Sequence, residues 1–122
     1  MVNTDISDGP ILRLFEARAK VGRADELLKK FAATSAKVVQ GEPGNVGYFL
    51  GCNIVDADDL CVFASLWSDL AAIKARFGQE WQRSFLPPGY DDLIDECRVR
   101  HFDVSSGWHV PVQERPQTTP DA

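Results

Sequence analysis

Three side chains of this 122-residue sequence are candidates for chemistry on a small apolar substrate: Trp67, His101 and Arg76. Trp67 closes an apolar run rich in β-branched and aromatic residues, and Ser68 follows as a predicted helix N-cap. Apolar residues then recur at spacings of three and four, at Leu70, Ile73, Phe77 and Trp81. An indole with an apolar helix face packed over it predicts one wall of a hydrophobic cavity.

His101 and Arg76 are the candidates for handling protons and charge. His101 lies in the last predicted strand among apolar residues, where we expect an imidazole to titrate near neutrality and to accept a proton from a substrate. A core or interface histidine with satisfied hydrogen bonds is the alternative. Arg76 is expected to stabilise the anion of a bound substrate, or else to be a solvated arginine on the helix surface.

Strand alternation extends the candidate site beyond Trp67. Phe63 and Ser65 precede Trp67 at even spacing and therefore share its face of the strand. The predicted substrate-binding residues are Tyr48, Phe63, Ser65, Phe77 and Trp81. Phe63 and Phe77 fit an ordinary core position equally well.

The segments that position these residues alternate between the two-residue apolar repeat of a strand and the 3.6-residue apolar repeat of a helix. Residues 1–10 are predicted to be an irregular arm, 11–104 the folded domain and 105–122 a C-terminal extension that packs on its own domain or on a second copy. Within the domain we predict strands at 11–19, 46–55, 60–67 and 96–104, helices at 24–39 and 70–81, a hairpin loop at 56–59 and a helical turn at 91–95.

This order, βαββαβ, predicts an α+β fold of the ferredoxin-like type, with one antiparallel sheet and both helices on one of its faces. The opposite face then has no cover from its own chain, and a bare apolar sheet face exposes a large patch. We therefore expect a homodimer in which a second copy packs sheet to sheet and completes a dimeric α/β barrel.

Composition excludes several other classes of function. The net charge of −5 disfavours a nucleic-acid partner. Three cysteines without a CxxC pair or a Cys/His cluster favour reduced thiols and predict neither a disulfide framework nor a metal site. The first ten residues have no signal-peptide pattern and no apolar run is long enough to span a membrane, so the expected location is the cytoplasm.

The sequence resembles the antibiotic biosynthesis monooxygenase group of dimeric α/β barrels. The likeness rests on Lys20-Val21-Gly22 before the first helix, Glu42 to Tyr48 entering the second strand and Ser65-Leu66-Trp67-Ser68 leaving the third. It spans roughly residues 11–104. The resemblance implies oxygenation of a small aromatic, often a phenol or quinol, by dioxygen without metal, flavin or haem, and it places Trp67 against the cavity.

Among the other activities of the same superfamily, haem degradation is disfavoured and two others remain as alternatives. Haem degradation needs an iron ligand from the second helix, usually His, but residues 68–85 contain no histidine, and the first-strand asparagine of the haem-degrading relatives is absent from residues 11–19. A non-catalytic dimer that binds a small apolar ligand, and an isomerase or decarboxylase that uses His101 as acid and base, both fit the same cavity.

Overall fold

The computed structural model describes residues 9–55 and 58–107 of the chain. Its centre is a four-stranded antiparallel sheet built from β1 (Ile11–Ala19), β2 (Asn45–Cys52), β3 (Leu60–Trp67) and β4 (Ile94–Asp103). The strand order is β2-β3-β1-β4, so β1 and β3 are central. The predicted bounds of β1 and β3 are confirmed, because these two strands carry the densest apolar pattern.

Two helical segments cover one face of the sheet, which confirms the ferredoxin-like α+β fold. The first comprises α1 (Ala24–Lys30), a π-helical turn (Phe31–Ser35) and α2 (Ala36–Val39). The second comprises α3 (Leu70–Phe77) and a 3-10 turn (Gly78–Glu80). The structure holds a single chain, so the second copy of the barrel stays a prediction.

The second helix is shorter than predicted and has a different cap. Asp69, not Ser68, is the N-cap, since its carboxylate accepts a hydrogen bond from the Ala72 amide at 2.9 Å. The helix ends at Phe77 because Gly78 has φ +78°, a backbone conformation that glycine adopts without strain. Trp81 therefore lies outside the helix, although the apolar spacing included it.

The ends of the sheet also differ from the prediction. The strand predicted at 46–55 ends at Cys52, and the last strand begins at Ile94 because this residue pairs with Ala19 of β1. Of the helical turn predicted at 91–95, residues 91–93 form a hydrogen-bonded turn in which the Leu93 amide donates to the Tyr90 carbonyl at 2.9 Å, whereas residues 94–95 belong to the last strand. The sheet thus includes Ile94 and Asp95, whose local pattern favoured a helical turn.

The core lies between the sheet and the helices. Every second residue of β1 is buried, from Ile11 to Ala19, and Arg13 belongs to this buried set. Arg13 is the one charged member among the apolar residues of that strand face. Its position places a positive charge among the apolar side chains of the core.

Three predicted segments lie wholly or partly outside the described residues. These are positions 1–8 of the N-terminal arm, positions 56–57 of the hairpin loop and positions 108–122 of the C-terminal extension. Within the described ranges, no helix has the length and apolar character that crossing a membrane requires.

Candidate functional site

A cavity of about 40 Å³ lies between the sheet and both helical segments. It has room for a few water molecules, at roughly 10–15 Å³ for each. The wall combines aromatic and aliphatic side chains with two hydroxyls and one guanidinium: Arg13, Phe15, Ser35, Val38, Val39, Phe63, Ser65, Phe77 and Phe85. A wall of this composition suits a small aromatic ligand with a few polar groups.

Arg13 is the one charged side chain of the cavity wall and is only 5% exposed. Its guanidinium donates to the backbone carbonyls of Trp81 at 2.6 Å and Arg83 at 3.3 Å, and it lies over the ring of Phe77 with 3.8 Å to the centroid. Burial and the neighbouring Arg76 cation lower the pKa of Arg13 to about 10. Arg13 is therefore a cation at neutral pH.

His101 is tied to this cation. Nε2 of His101 lies 3.0 Å from Nη1 of Arg13, and because a guanidinium only donates, Nε2 accepts and carries no proton. Burial and the Arg13 charge lower the pKa of His101 to about 4. The expectation that His101 titrates near neutrality is therefore wrong, and at pH 7 its imidazole is neutral.

Trp67 is fully buried and lies behind the cavity wall. Its indole Nε1 donates to Ser65 Oγ at 2.8 Å, and its ring meets Phe77 edge to face with centroids 5.8 Å apart. Both partners line the cavity, whereas Trp67 is not among the lining residues. The expected placement against the cavity is thus corrected to one layer behind it.

The other predicted site residues divide into two groups. Phe63, Ser65 and Phe77 line the cavity, and Tyr48 stacks on Phe63 with centroids 5.6 Å apart. Trp81 contributes its carbonyl to Arg13 and stacks edge to face on His101 with centroids 4.9 Å apart. The structure therefore gathers the predicted residues around one centre, some in the wall and some behind it.

Arg76 lies beside the cavity rather than in its wall. Its Nε donates to the Val38 carbonyl at 3.0 Å and lies 3.7 Å from a carboxylate oxygen of Glu42. The guanidinium also lies near the rings of Phe77 and Phe85, at 5.3 and 5.6 Å from their centroids. Glu42 thus compensates the charge of Arg76. The described partners of Arg13, in contrast, are neutral.

A hydrogen-bonded chain supports the π-helical turn that brings Ser35 into the wall. The Tyr90 hydroxyl donates to the Lys30 carbonyl at 2.9 Å and lies 2.6 Å from Ser35 Oγ, which therefore acts as the donor to Tyr90. Tyr90 is 1% exposed, and burial raises its pKa. The turn interrupts a predicted regular helix, and such turns are frequent at functional sites.

Sequence reasoning missed Arg13, Ser35 and Phe85. Arg13 had a signal, because it shares strand parity with Ile11 and Phe15. Ser35 depends on the π-helical turn, and Phe85 lies in an irregular connector, so neither had a local signal. Across the described ranges, no three His, Cys, Asp or Glu side chains are grouped as a metal site would need.

Comparison with known proteins gives one family and several structures. The family model described as antibiotic biosynthesis monooxygenase matches residues 10–86. No curated protein matches the chain.

The chain is similar in fold to protein PA3566 from Pseudomonas aeruginosa, with 22% identity and a TM-score of 0.61 over 80% of this chain and 95% of that one. It is also similar to a point mutant of SnoaB, a cofactor-independent oxygenase from Streptomyces nogalater, with 17% identity and a TM-score of 0.59 over 84% and 98% of the two chains. A heme-degrading protein, Rv3592 from Mycobacterium tuberculosis, gives 21% identity and a TM-score of 0.54 over 79% and 94%.

Proposed function

The chain belongs to the antibiotic biosynthesis monooxygenase family, and from this premise we propose that it oxygenates a small aromatic or enolisable substrate in the cavity, using dioxygen and no cofactor. The observation that carries the proposal is the cavity itself, whose aromatic wall contains one buried cation, Arg13. An apolar wall binds the ring, and a cation stabilises the anion formed when the substrate loses a proton.

The chemistry needs an electron-rich substrate anion rather than an elaborate catalytic apparatus. Loss of a proton from a phenol, quinol or enol gives an anion that transfers an electron to dioxygen, and the two radicals then combine through a carbon–oxygen bond to a peroxide. In an anthrone, loss of water from that peroxide turns the reacting CH₂ into a carbonyl, so that one atom of dioxygen enters the product and the other leaves as water. The protein binds the substrate, favours its anion and excludes water.

Within this proposal the sequence-predicted residues have distinct roles. His101 is not in the cavity wall, so its unprotonated Nε2 accepts the substrate proton only when the substrate takes over the hydrogen bond from Arg13 and reaches past that side chain. Trp67 holds Ser65 in the wall, and Arg76 adds positive potential from beside the Phe77 ring. Tyr48 and Trp81 support the wall and His101 from outside the cavity.

Substrate entry requires the wall to move, since the cavity of about 40 Å³ is too small for an aromatic ring. Phe85 is the residue that we propose to move, because it is 45% exposed and lies in the irregular connector after the second helix. Its ring meets Phe77 edge to face at 6.0 Å, so its displacement enlarges the cavity on the side of the connector.

We further propose that the protein is a homodimer. The sheet face opposite the helices carries apolar residues of the central strands, including Leu14, Val62 and Ala64, and Phe49 on β2 is 51% exposed there. Along β1 the residues of this face are only half-buried, whereas those of the face that the helices cover are buried. A second copy that packs there would bury it and close the barrel.

Oxygen consumption with a panel of dihydroxynaphthalenes and anthrones tests the enzymatic proposal. We expect the wild-type protein to consume oxygen with at least one of them, and Trp67→Phe and His101→Ala to lower the rate by about tenfold or more. Val21→Ala is the control, since Val21 is 89% exposed. Tight binding of the same compounds without oxygen uptake would identify a ligand-binding protein instead.

A further inference from the structure

We propose that Arg13 and Ser65 form a recognition site for an anionic oxygen, so that the cavity binds aromatic anions in preference to neutral aromatics of the same shape. The inference deepens the proposed function, on which it rests for the identity of the cavity as the ligand site. The anionic oxygen belongs to a carboxylate or to an ionised phenol or enol, which present the same charge to a guanidinium.

The first support is the charge of Arg13. Among the described residues, seven ion pairs join arginines to carboxylates, and they involve Arg18, Arg23, Arg76, Arg83, Arg98 and Arg100. None of the seven includes Arg13, although at 5% exposure it is the only buried arginine in the described part of the chain. A buried charge without a counter-charge is costly, and an anionic ligand in the cavity would supply that counter-charge.

The second support is the hydrogen-bonding capacity that Arg13 retains. Its neutral partners are two backbone carbonyls and one imidazole nitrogen, all acceptors. These three contacts do not use every N–H of the guanidinium. A cavity ligand with an oxygen acceptor can therefore bind Arg13 without displacing the contacts to Trp81 and Arg83.

The third support is the position of Ser65. Arg13 and Ser65 are directly paired across β1 and β3, so their side chains leave the sheet on the same face, and both line the cavity. Ser65 Oγ accepts from the Trp67 indole, and within the described part of the chain its own O–H has no acceptor. Ser65 is 2% exposed, so this donor is directed to the protein interior and not to bulk water.

Together these groups present only donors to the cavity beside an aromatic wall. Two donors on adjacent strands, one of them charged, match an oxygen anion on a planar ring. A neutral hydrocarbon ring would fill the same volume but leave the Ser65 O–H and the remaining N–H groups of Arg13 without an acceptor. Selectivity for anions therefore comes from these two residues, and the aromatic wall supplies only binding of the ring.

Isothermal titration calorimetry with benzoate and benzamide tests the inference, because the two compounds have nearly the same shape and differ in charge. At pH 7 we expect wild-type protein to bind benzoate about tenfold or more tightly than benzamide. Equal affinities would overturn the proposal, and this comparison needs no variant.

Variants locate the selectivity. Arg13→Gln is expected to abolish the preference for benzoate, and Arg13→Lys to retain part of it because the positive charge remains. Arg98→Gln is the matched control, since it removes an arginine that pairs with Glu16 on the other face of the sheet. Retention of the full preference for benzoate in Arg13→Gln would contradict the proposal. Loss of the preference in Arg76→Gln alone would also contradict it and would assign the role to Arg76.

A chromogenic phenol distinguishes the two sources of the anionic oxygen. Free 4-nitrophenol turns yellow on ionisation, and we expect the bound compound to ionise about one pH unit lower or more, since a cation within contact lowers the pKa of an acid. A preference for benzoate together with this shift identifies ionised phenols as ligands, and the preference without the shift identifies carboxylates. These measurements need no oxygen, so they can succeed where oxygen uptake fails.

Discussion

The indole of Trp67 donates to the hydroxyl of Ser65 over 2.8 Å, with both residues almost completely buried. This hydrogen bond joins the residue that ends β3 to a residue of the cavity wall. It also fixes the Ser65 oxygen as an acceptor, so that the hydroxyl proton is left for a ligand.

Removal of this hydrogen bond should destabilise the protein measurably. Ser65→Ala leaves a buried indole N–H without an acceptor, and we expect the free energy of unfolding to fall by about 1–3 kcal/mol. Urea denaturation measures the change, and Ser106→Ala, at an exposed position, should leave the midpoint unchanged. The losses of unfolding free energy in Ser65→Ala and in Trp67→Phe should sum to more than the loss in the double variant, because each single variant breaks the same hydrogen bond.

The depressed pKa of His101 predicts a dependence of stability on acid pH. The folded-state value of about 4 lies below the ordinary value of about 6.5, so the unfolded chain binds a proton at His101 before the folded protein does. This contribution to stability is complete above pH 6.5 and is lost as the pH falls toward 4, by about 2–3 kcal/mol.

Thermal unfolding measured between pH 4 and 7 tests this dependence. In His101→Gln, stability should fall less between pH 7 and 4 than in the wild type. In a separate NMR titration, the wild-type His101 ring-proton resonance should not move between pH 6 and 8. A resonance that titrates near neutrality would contradict the hydrogen bond from Arg13.

The hydroxyl of Tyr90 should stabilise the π-helical turn. Tyr90→Phe removes the donor to the Lys30 carbonyl and the acceptor for Ser35, so we expect a loss of about 1–2 kcal/mol in unfolding free energy. Tyr48→Phe is the matched control, with a change below about 0.5 kcal/mol, because Tyr48 contributes its stacked ring rather than a described hydrogen bond. Equal losses in the two variants would argue against this role of Tyr90.

A charge in the centre of the open sheet face should separate the proposed dimer. Ala64 pairs with Leu14 on one side and Phe49 on the other, so Ala64→Asp places a carboxylate in the middle of the apolar surface. Light scattering should give twice the chain mass of 13.5 kDa for the wild type and a single chain for the variant. Val21→Asp, which changes an 89% exposed residue, should stay dimeric. A wild-type protein of single mass would refute the dimer.

The sequence was sufficient for the fold and for much of the site's surroundings. Alternation and β-branched residues defined β1 and β3, because buried central strands have the strongest pattern. The same alternation placed Phe63, Ser65 and Trp67 on the helix-facing side. The end of the second helix was missed because Trp81 continues the apolar spacing, whereas the φ of Gly78 ends the helix.

The centre of the site depends on contacts between residues far apart in the chain. Arg13 meets the carbonyl of Trp81 and the imidazole of His101 across 68 and 88 positions of sequence. A charged residue in a strand ordinarily indicates a solvent-facing side chain. Arg76, on a helix with apolar neighbours, was therefore a more obvious candidate than Arg13, and only the tertiary structure reveals Glu42 beside it.

Isotope labelling shows whether an atom of dioxygen enters the product. With ¹⁸O₂ and an anthrone, or a dihydroxynaphthalene that carries hydrogen at the carbon para to a hydroxyl, we expect one labelled oxygen atom in each product molecule, and a rate lower by about a hundredfold in Arg13→Gln than in Arg98→Gln. Product without label, or no product from any compound of the panel, would contradict the assignment as a monooxygenase.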